Sequence, residues 1–261
     1  MDMNLTGKVV VVTGASKGIG LAVSQAFVEA GAFVVAGARR NTPEMQALEA
    51  AGSATFVSAD LSTREGPRAL IAAAAERGGV DVLVNNAGAV APRLDGILSV
   101  TDEEWDAALS LNFLSAVRTT REAVPQMLAR GGGAIVMIGS VNATLPEWNI
   151  VDYSATKAAL ANFAKSLSKE FGPKGIRVNT VSPGPVSTDL WLAEDGVAAK
   201  LGAATGATPG DIVAAASAAA PTGRFTTPQE VADLTVFLAG SRSGNTTGAD
   251  VRIDGGYVTT I

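Results

Sequence analysis

The chain has 261 residues, of which 47% are apolar and 17% charged, a composition typical of a protein with a substantial core. Its formal net charge of −5 argues against a broad nucleic-acid-binding or anionic-membrane surface. Cys and His are absent, which excludes disulfides, thiolate nucleophiles, zinc–thiolate sites and Ser-His-Asp triads, so acid–base chemistry must use Asp, Glu, Tyr, Lys or a cofactor.

Short β-branched runs alternate with longer helical patterns along the whole chain. Continuous apolar strands separated by helices indicate a doubly wound, Rossmann-type α/β fold with a seven-stranded parallel sheet and helices on both faces. We find no linker and no repeat, so one domain is expected over residues 1–261. The predicted strands are 8–13, 33–38, 54–59, 80–86, 134–140, 176–182 and 250–255, and the predicted helices are 19–30, 43–51, 64–77, 102–130, 152–171 and 228–239.

The least regular stretch is 187–225, which is rich in Ala, Gly and Thr. A weakly specified segment between the sixth predicted strand and the predicted helix 228–239 is a natural substrate lid. The alternative is an ordinary pair of surface helices.

The first predicted strand ends in the sequence TGASKGIG, which leads directly into a helical pattern. Gly14, Gly18 and Gly20 permit a tight turn and a close approach of phosphate to the backbone. The N-terminus of the following helix offers unpaired N–H groups to the phosphates. Because this turn follows the first strand of a repeated βα pattern, we expect it to bind a dinucleotide rather than to serve as a plain connection.

The residues after the second strand bear on which dinucleotide binds. An NAD-preferring site tends to place a carboxylate there, but this strand ends in Ala38, Arg39 and Arg40. Lys17, in the glycine turn, lies within reach of the same position. The 2′-phosphate of NADP prefers such basic partners, so we expect NADP, with NAD less favoured. The alternative is that both arginines are merely solvated.

Tyr153 and Lys157 lie four residues apart on a predicted helix and therefore share a face. A nearby ammonium lowers the pKa of a phenol, so the pair can act as one proton donor and acceptor. Ser140 ends the fifth strand, where it faces the ligand crevice of a parallel sheet or caps a turn. Asn112 interrupts an apolar helical stretch and is either a satisfied core residue or part of a polar relay.

Taken together, these motifs resemble those of the short-chain dehydrogenase/reductase family, in its single-domain branch. The resemblance covers nearly the whole chain and includes similarity to the 3-oxoacyl-acyl-carrier-protein reductases. The motifs that carry it, in the order typical of the family, are TGASKGIG (13–20), NNAG (85–88), Ser140, YSATK (153–157) and PGPVST (183–188).

The resemblance implies a catalytic set of Asn112, Ser140, Tyr153 and Lys157. Tyr153 would exchange a proton with the carbonyl or alcohol oxygen, which Ser140 would orient. Lys157 would lower the pKa of Tyr153 and bind the nicotinamide ribose, and Asn112 would hold a water that links Lys157 to solvent. The implied cofactor contacts are Gly14, Ser16, Lys17, Gly18, Ile19, Gly20, Arg39, Arg40, Asp60, Leu61, Asn86, Ala87, Gly88, Tyr153, Lys157, Pro183, Gly184, Val186 and Thr188.

The candidate substrate residues are few: Val141, Asn142, Trp148 and Trp191. The sequence offers no evident Arg clamp for an anion, so we expect a neutral carbonyl or alcohol as substrate. A 3-oxoacyl thioester is the alternative. Arg130, Lys169 and Lys174 would then dock an acyl carrier protein, unless they form an ordinary solvated surface. A redox-silent, NADP-sensing binding protein is the alternative of another class.

The remaining expectations concern location and assembly. No basic n-region and no apolar stretch of ~18 residues is evident, so we expect no signal peptide and no membrane span. We therefore expect a cytoplasmic protein. We also expect that it binds no metal ion. The family resemblance implies a homotetramer, with a dimer as the alternative.

Overall fold

The computed structural model describes residues 2–260 and contains one parallel sheet. Its strands are β1 (Val9–Thr13), β2 (Phe33–Ala38), β3 (Ala54–Ser58), β4 (Val82–Asn85), β5 (Gly133–Ile138), β6 (Ile176–Pro183) and β7 (Asp250–Ile253). The seven strands pair in the order β3-β2-β1-β4-β5-β6-β7, and every pair is parallel. The predicted fold class is confirmed, and the strand ends differ from the predicted ones by no more than two residues.

The helices connect the strands and cover both faces of the sheet. They are α1 (Gly18–Glu29), α2 (Pro43–Ala50), α3 (Glu65–Ala75), α4 (Asp102–Leu109), α5 (Ser115–Ala129), α6 (Val151–Phe171), α7 (Asp189–Leu192), α8 (Val197–Thr205), α9 (Pro209–Ala218) and α10 (Pro228–Ala239). None of the helices within residues 2–260 is both long enough and apolar enough to cross a bilayer.

Alternate residues of each strand face two separate hydrophobic cores, as the two-residue period of a strand requires. On β1, Val10 and Val12 join the core beneath α1 and α10, where Phe27 is fully buried. Val9 and Val11 face the other core, beneath α3, α5 and α6. This covering explains why the strands consist of continuous apolar residues rather than alternating ones.

Two predicted segments differ from the structure. The single helix predicted over 102–130 is two helices, α4 and α5, joined by a π-helical turn over Ser110–Leu114. π-turns of this kind occur frequently at functional sites, and this one contains Asn112. The segment 187–225 is more regular than predicted, because α7, α8 and α9 account for most of it. A capping box between Thr208 and Asp211 begins α9.

A charged cluster joins the amino ends of the strands, on the edge of the sheet where β1 and β4 begin. The carboxylate of Asp81 accepts a hydrogen bond from the backbone N–H of Val9 at 2.9 Å. It also accepts two hydrogen bonds from Nη2 of Arg130, each 2.9 Å long, and one from Nζ of Lys8 at 3.2 Å. These donors hold the pKa of Asp81 below its usual value, although burial alone would raise it.

We predict that Asp81→Asn lowers the free energy of unfolding by about 2–4 kcal/mol at pH 7, because it leaves the Arg130 guanidinium without its carboxylate partner. A lowered pKa stabilises the fold above the ordinary carboxyl pKa of 3.8, and this contribution is lost as the pH falls below it. Urea unfolding should therefore show a difference between variant and wild type that shrinks on acidification. Asp106→Asn, an exposed control on α4, should follow wild type. An undiminished gap at pH 3 would contradict this account.

Candidate active site

A cleft with a volume of about 1080 Å³ opens at the carboxyl ends of the strands. The order of the strands reverses between β1 and β4, which is where open parallel sheets form their ligand crevice. All of the predicted cofactor residues line this cleft: Gly14, Ser16, Lys17, Gly18, Ile19, Gly20, Arg39, Arg40, Asp60, Leu61, Asn86, Ala87, Gly88, Tyr153, Lys157, Pro183, Gly184, Val186 and Thr188.

The glycine turn brings the backbone of β1, α1 and β4 into close contact. Gly14 and Gly18 have φ values of 66° and 54°, which L side chains rarely adopt. A Cβ on Gly20 would collide with the Gly14 carbonyl, so the start of α1 lies against the turn. Nδ2 of Asn86 fixes this arrangement, because it donates hydrogen bonds to the carbonyl oxygens of Thr13 and Gly14 at 2.9 and 3.1 Å.

The residues of the turn fit a dinucleotide phosphate. The side chain of Lys17, at the N-cap of α1, makes no capping hydrogen bond. The first N–H groups of the helix are therefore available to an anion, which the helix dipole also favours.

The adenosine end of the cleft is basic. Lys17, Arg39 and Arg40 are exposed, and within residues 2–260 none of the three forms an ion pair. Asp60 lies nearby, and hydrogen bonds from the backbone and side chain of Ser62 lower the pKa of its carboxyl group. A 2′-phosphate at this end would meet three free cations, whereas no carboxylate follows β2 to receive a ribose hydroxyl.

Tyr153 and Lys157 lie side by side near the start of α6, and Ser140 lies two residues after the end of β5. Nζ of Lys157 is 5.6 Å from the centre of the Tyr153 ring. Only 4% of Lys157 is exposed, and Nζ donates a hydrogen bond to the carbonyl of Ile138 at 2.8 Å. The structure thus brings Tyr153, Lys157 and the Ser140 hydroxyl together on one wall of the cleft.

Burial controls the ionisation of both members of the pair. It lowers the pKa of Lys157 from 10.5 to about 8, because the interior disfavours the ammonium form. It also raises the pKa of Tyr153, an effect that a hydrogen bond with Ser140 partly opposes. This direction differs from the lowering by Lys157 that the sequence suggested. The difference arises because desolvation of the phenolate is the largest effect on the phenol, while the Lys157 ammonium is directed at the Ile138 carbonyl.

Asn112 lies beneath the cleft, in the π-turn, and is 2% exposed. Its Oδ1 accepts a hydrogen bond from the N–H of Ala89 at 2.7 Å, and its Nδ2 donates one to the Ala89 carbonyl at 3.0 Å. A Cβ on Gly88 would lie 3.1 Å from this oxygen and 3.7 Å from Nζ of Lys157. Asn112 therefore fixes the loop after β4 next to Lys157, and both of its polar atoms are satisfied by backbone.

Arg93 is a residue of this site that the sequence analysis missed. Its guanidinium donates hydrogen bonds to Asp152 at 2.6 and 3.1 Å and also contacts Glu104 on α4. Asp152 in turn accepts a hydrogen bond from the backbone N–H of Tyr153 at 2.9 Å. The N–H of Arg93 donates to the carbonyl of Asn149 at 2.6 Å. Arg93 therefore anchors the start of α6 and the loop before it.

The substrate end is formed by the loop after Ser140, by α7 and α8, and by the C-terminal turn. Val141, Asn142 and Trp191 line it as predicted, and the Trp191 ring makes an edge-to-face contact with Phe225 at 5.1 Å. The structure does not bring Trp148 into the cleft lining, because its side chain projects into solvent and is 67% exposed. The cleft also includes Tyr257, which lies in the C-terminal turn.

The basic residues suggested for carrier-protein docking lie at the wrong end of the sheet. Arg130 precedes β5 and Lys174 precedes β6, while Lys169 lies near the end of α6. All three are therefore near the amino ends of the strands, opposite the cleft. Arg130 is also committed to Asp81, as described above. A partner bound to these residues would therefore not face Tyr153 of the same chain.

Comparisons with known proteins agree with this geometry. Residues 8–195 match the short chain dehydrogenase family. The chain is 36% identical to a D-threitol dehydrogenase from Mycolicibacterium smegmatis, with 98% of this chain and 95% of that protein aligned. It is 32% identical to a 3-oxoacyl-[acyl-carrier-protein] reductase from Vibrio cholerae, over 97% and 98% of the two chains.

A solved structure is similarly related. The L-sorbose reductase from Gluconobacter frateurii, complexed with NADPH and L-sorbose, superimposes with a TM-score of 0.91. The two sequences are 36% identical, and the alignment covers 100% of both chains.

We predict that Lys157→Met removes a pH-dependent cost of folding. The lysine has a pKa of about 8 in the folded protein and 10.5 in the unfolded chain, so its burial as an ammonium opposes folding most strongly below pH 8. Between these values wild type should gain about 1.4 kcal/mol of stability per pH unit relative to Lys157→Met. Urea unfolding at pH 7 to 9.5 measures this gain. Lys169→Met, at an exposed position on the same helix, should parallel wild type. Parallel curves for Lys157→Met would refute the prediction.

Proposed function

The chain belongs to the short-chain dehydrogenase family, and we propose that it is an NADP(H)-dependent oxidoreductase that interconverts a neutral carbonyl and a secondary alcohol. The observation that carries the proposal is the convergence of Tyr153, Lys157 and Ser140 on one wall of a cleft whose opposite end fits a dinucleotide. Cofactor-dependent chemistry agrees with the absence of His and Cys.

The proposed acid–base group is Tyr153. A raised pKa keeps its phenol protonated at neutral pH, so in the reducing direction the hydroxyl can give its proton to the carbonyl oxygen. When bound, the reduced nicotinamide supplies the hydride that reaches the carbonyl carbon. The proton and the hydride together complete the secondary alcohol, and Tyr153 is left as a phenolate to be reprotonated from solvent. In the oxidising direction the phenolate removes the alcohol proton.

Ser140 and Lys157 have supporting roles in this proposal. Ser140 accepts a hydrogen bond from the N–H of Asn142 at 3.1 Å, so its hydroxyl is held in place beside Tyr153 and can polarise the substrate oxygen. Lys157 can bind a ribose hydroxyl and stabilise the phenolate as it forms. Its pKa of about 8 lies close to neutral pH, which suits a group that shares protons with its neighbours.

We propose that segment 187–225 acts as the lid over the substrate. Trp191, Val197, Leu201 and Ala216 of this segment line the cleft. Both Leu190 and Leu192 are about half exposed, which leaves apolar surface that a bound substrate or a closed conformation could cover.

The thioester alternative receives less support. The similarity to the Vibrio cholerae reductase favours it, but the basic residues that would dock a carrier protein lie at the other end of the sheet. The redox-silent alternative conflicts with the intact Ser140, Tyr153 and Lys157 constellation, because a binding protein has no need of it.

We predict that Tyr153→Phe lowers kcat by about 10²–10⁴-fold or more, because the substitution removes the transferred proton. NADPH affinity, measured by fluorescence titration, should stay within about threefold of wild type, since most of the residues proposed to bind the cofactor are unchanged. The assay follows NADPH consumption with a panel of neutral ketones and acetoacetyl thioester. Tight NADPH binding without turnover of any compound would instead favour the redox-silent protein.

We predict that Arg39→Ala weakens NADPH binding by about 10–100-fold, which corresponds to one charge-assisted hydrogen bond. NADH binding should be nearly unchanged, because NADH has no 2′-phosphate. Arg121→Ala removes the same charge from an exposed position of α5 outside the cleft and should affect neither cofactor. Equal loss of affinity for NADPH and NADH would show that Arg39 does not bind the 2′-phosphate.

A further inference from the structure

Two polar side chains on the substrate wall of the cleft have no partner in the protein. Glu147 and Tyr257 both line the cleft, and among residues 2–260 neither side chain makes a hydrogen bond or an ion pair. We propose that Glu147 and Tyr257 form a hydroxyl-binding pair that selects a small neutral ketose or polyol over an anionic substrate and over an unsubstituted ketone. This inference rests on the proposed carbonyl–alcohol chemistry.

Glu147 is held on an ordered segment. It precedes a 3₁₀ turn over Trp148–Ile150, and its own carbonyl accepts a hydrogen bond from the N–H of Ile150 at 3.2 Å. The Asn149 carbonyl accepts the hydrogen bond from Arg93, which also anchors the start of α6. The backbone of Glu147 is thereby fixed relative to Tyr153. Its carboxylate is partly buried, and a partly buried carboxylate without a partner is a strong acceptor for a ligand O–H.

Tyr257 is presented by a turn that Asp254 builds. The carboxylate of Asp254 accepts hydrogen bonds from the N–H groups of Gly256 and Val258 at 3.0 and 2.9 Å. The Gly255 carbonyl accepts one from the N–H of Thr222 at 3.2 Å, which ties the turn to the end of segment 187–225. The position of the phenol therefore depends on a defined backbone rather than on a loose tail.

The two groups are close enough to affect each other. Burial and the charge of Glu147 both raise the pKa of Tyr257, so its phenol stays protonated over the physiological range. Such a phenol both donates and accepts a hydrogen bond, while the carboxylate only accepts. A substrate with neighbouring hydroxyl groups satisfies both side chains at once.

Charged side chains of opposite sign line the two ends of the cleft. The exposed cations Lys17, Arg39 and Arg40 lie at the adenosine end, whereas the substrate end is lined by Glu147 and Asp189 and by no arginine. An anionic substrate would meet these carboxylates without a compensating cation apart from the buried Lys157. Repulsion of this kind is an effective means of discrimination between otherwise similar substrates.

The unpaired groups also discriminate against simple ketones. A site that offers hydrogen bonds to substrate hydroxyls penalises an analogue that lacks them, because its polar groups are then desolvated without a partner. Two relatives, a D-threitol dehydrogenase and an L-sorbose reductase, act on neutral polyhydroxylated substrates according to their names. The same chemistry follows for this chain from the side chains of its own cleft.

The test compares three kinds of carbonyl compound in NADPH-dependent reduction. The neutral ketoses erythrulose, fructose and L-sorbose are measured beside 2-butanone and the anionic 5-ketogluconate. For wild type we expect kcat/KM for at least one ketose to exceed the values for both of the other compounds by about tenfold or more.

Substitutions of Glu147 and Tyr257 separate the binding of substrate hydroxyl groups from the repulsion of anions. Glu147→Gln should raise KM for the preferred ketose by about 10–100-fold and raise kcat/KM for 5-ketogluconate, because it removes both a charged acceptor and the repulsion. Tyr257→Phe should raise KM for the ketose but leave kcat/KM for 5-ketogluconate unchanged, because the charge of Glu147 stays in place. Neither substitution should lower kcat/KM for 2-butanone, because a simple ketone makes no hydrogen bond with either side chain. Glu170→Gln, at an exposed position near the far end of α6, is the control for loss of one negative charge.

The outcomes distinguish the two proposals. If wild type reduces 2-butanone as well as it reduces the ketoses, or if Glu147→Gln leaves the preference between ketose and 5-ketogluconate unchanged, the inference is overturned and the proposed function stands. If no carbonyl compound is reduced although NADPH binds, the proposed function itself fails.

Discussion

The parallel direction of all seven strands is the constraint on which the rest of the molecule depends. Because every strand runs the same way, every carboxyl end meets one edge of the sheet, and the reversal of strand order between β1 and β4 opens a crevice there. The glycine turn, Arg39, Asn86 and Ser140 each begin within two residues of the end of a strand. They converge from distant parts of the chain because each lies near the end of a parallel strand, and Asn86 also donates hydrogen bonds to the glycine turn.

Tyr153 and Lys157 are the exception, since a helix rather than a strand carries them. Their position depends on contacts at the start of α6, where Arg93 binds Asp152, and on the hydrogen bond from Lys157 to Ile138 at the end of β5. Burial of the lysine opposes folding but lowers its pKa towards neutrality. The burial of Lys157 therefore offsets part of the stability that the two apolar cores provide. A trade-off of this kind between stability and activity is common at active sites.

The sequence predicts those features that depend on neighbouring residues. The strands, the glycine turn and the spacing of Tyr153 from Lys157 are local patterns, so the fold class follows from them. The family resemblance implied most of the other residues that line the cleft. The roles of Arg93 and Asp81 do not, because each meets its partners only after folding. The sequence predicts that Trp148 lies in a loop near the substrate end of the cleft. The direction of its side chain depends on the backbone of a 3₁₀ turn that no sequence pattern specifies.

The uneven burial of the helices has a consequence for motion. None of the residues of α9 is fully buried, whereas α6 buries eight of its own against the sheet. The free energy needed to open α9 locally is therefore far smaller than that needed to unfold the sheet. Amide protons of α9 would exchange with solvent through such openings while those of β1 and β5 remained protected. The walls of the cleft differ in the same way: most residues proposed to bind the cofactor lie at the strand ends of the rigid sheet, whereas α9, which contributes Ala216 to the cleft, can open and close again within the native state.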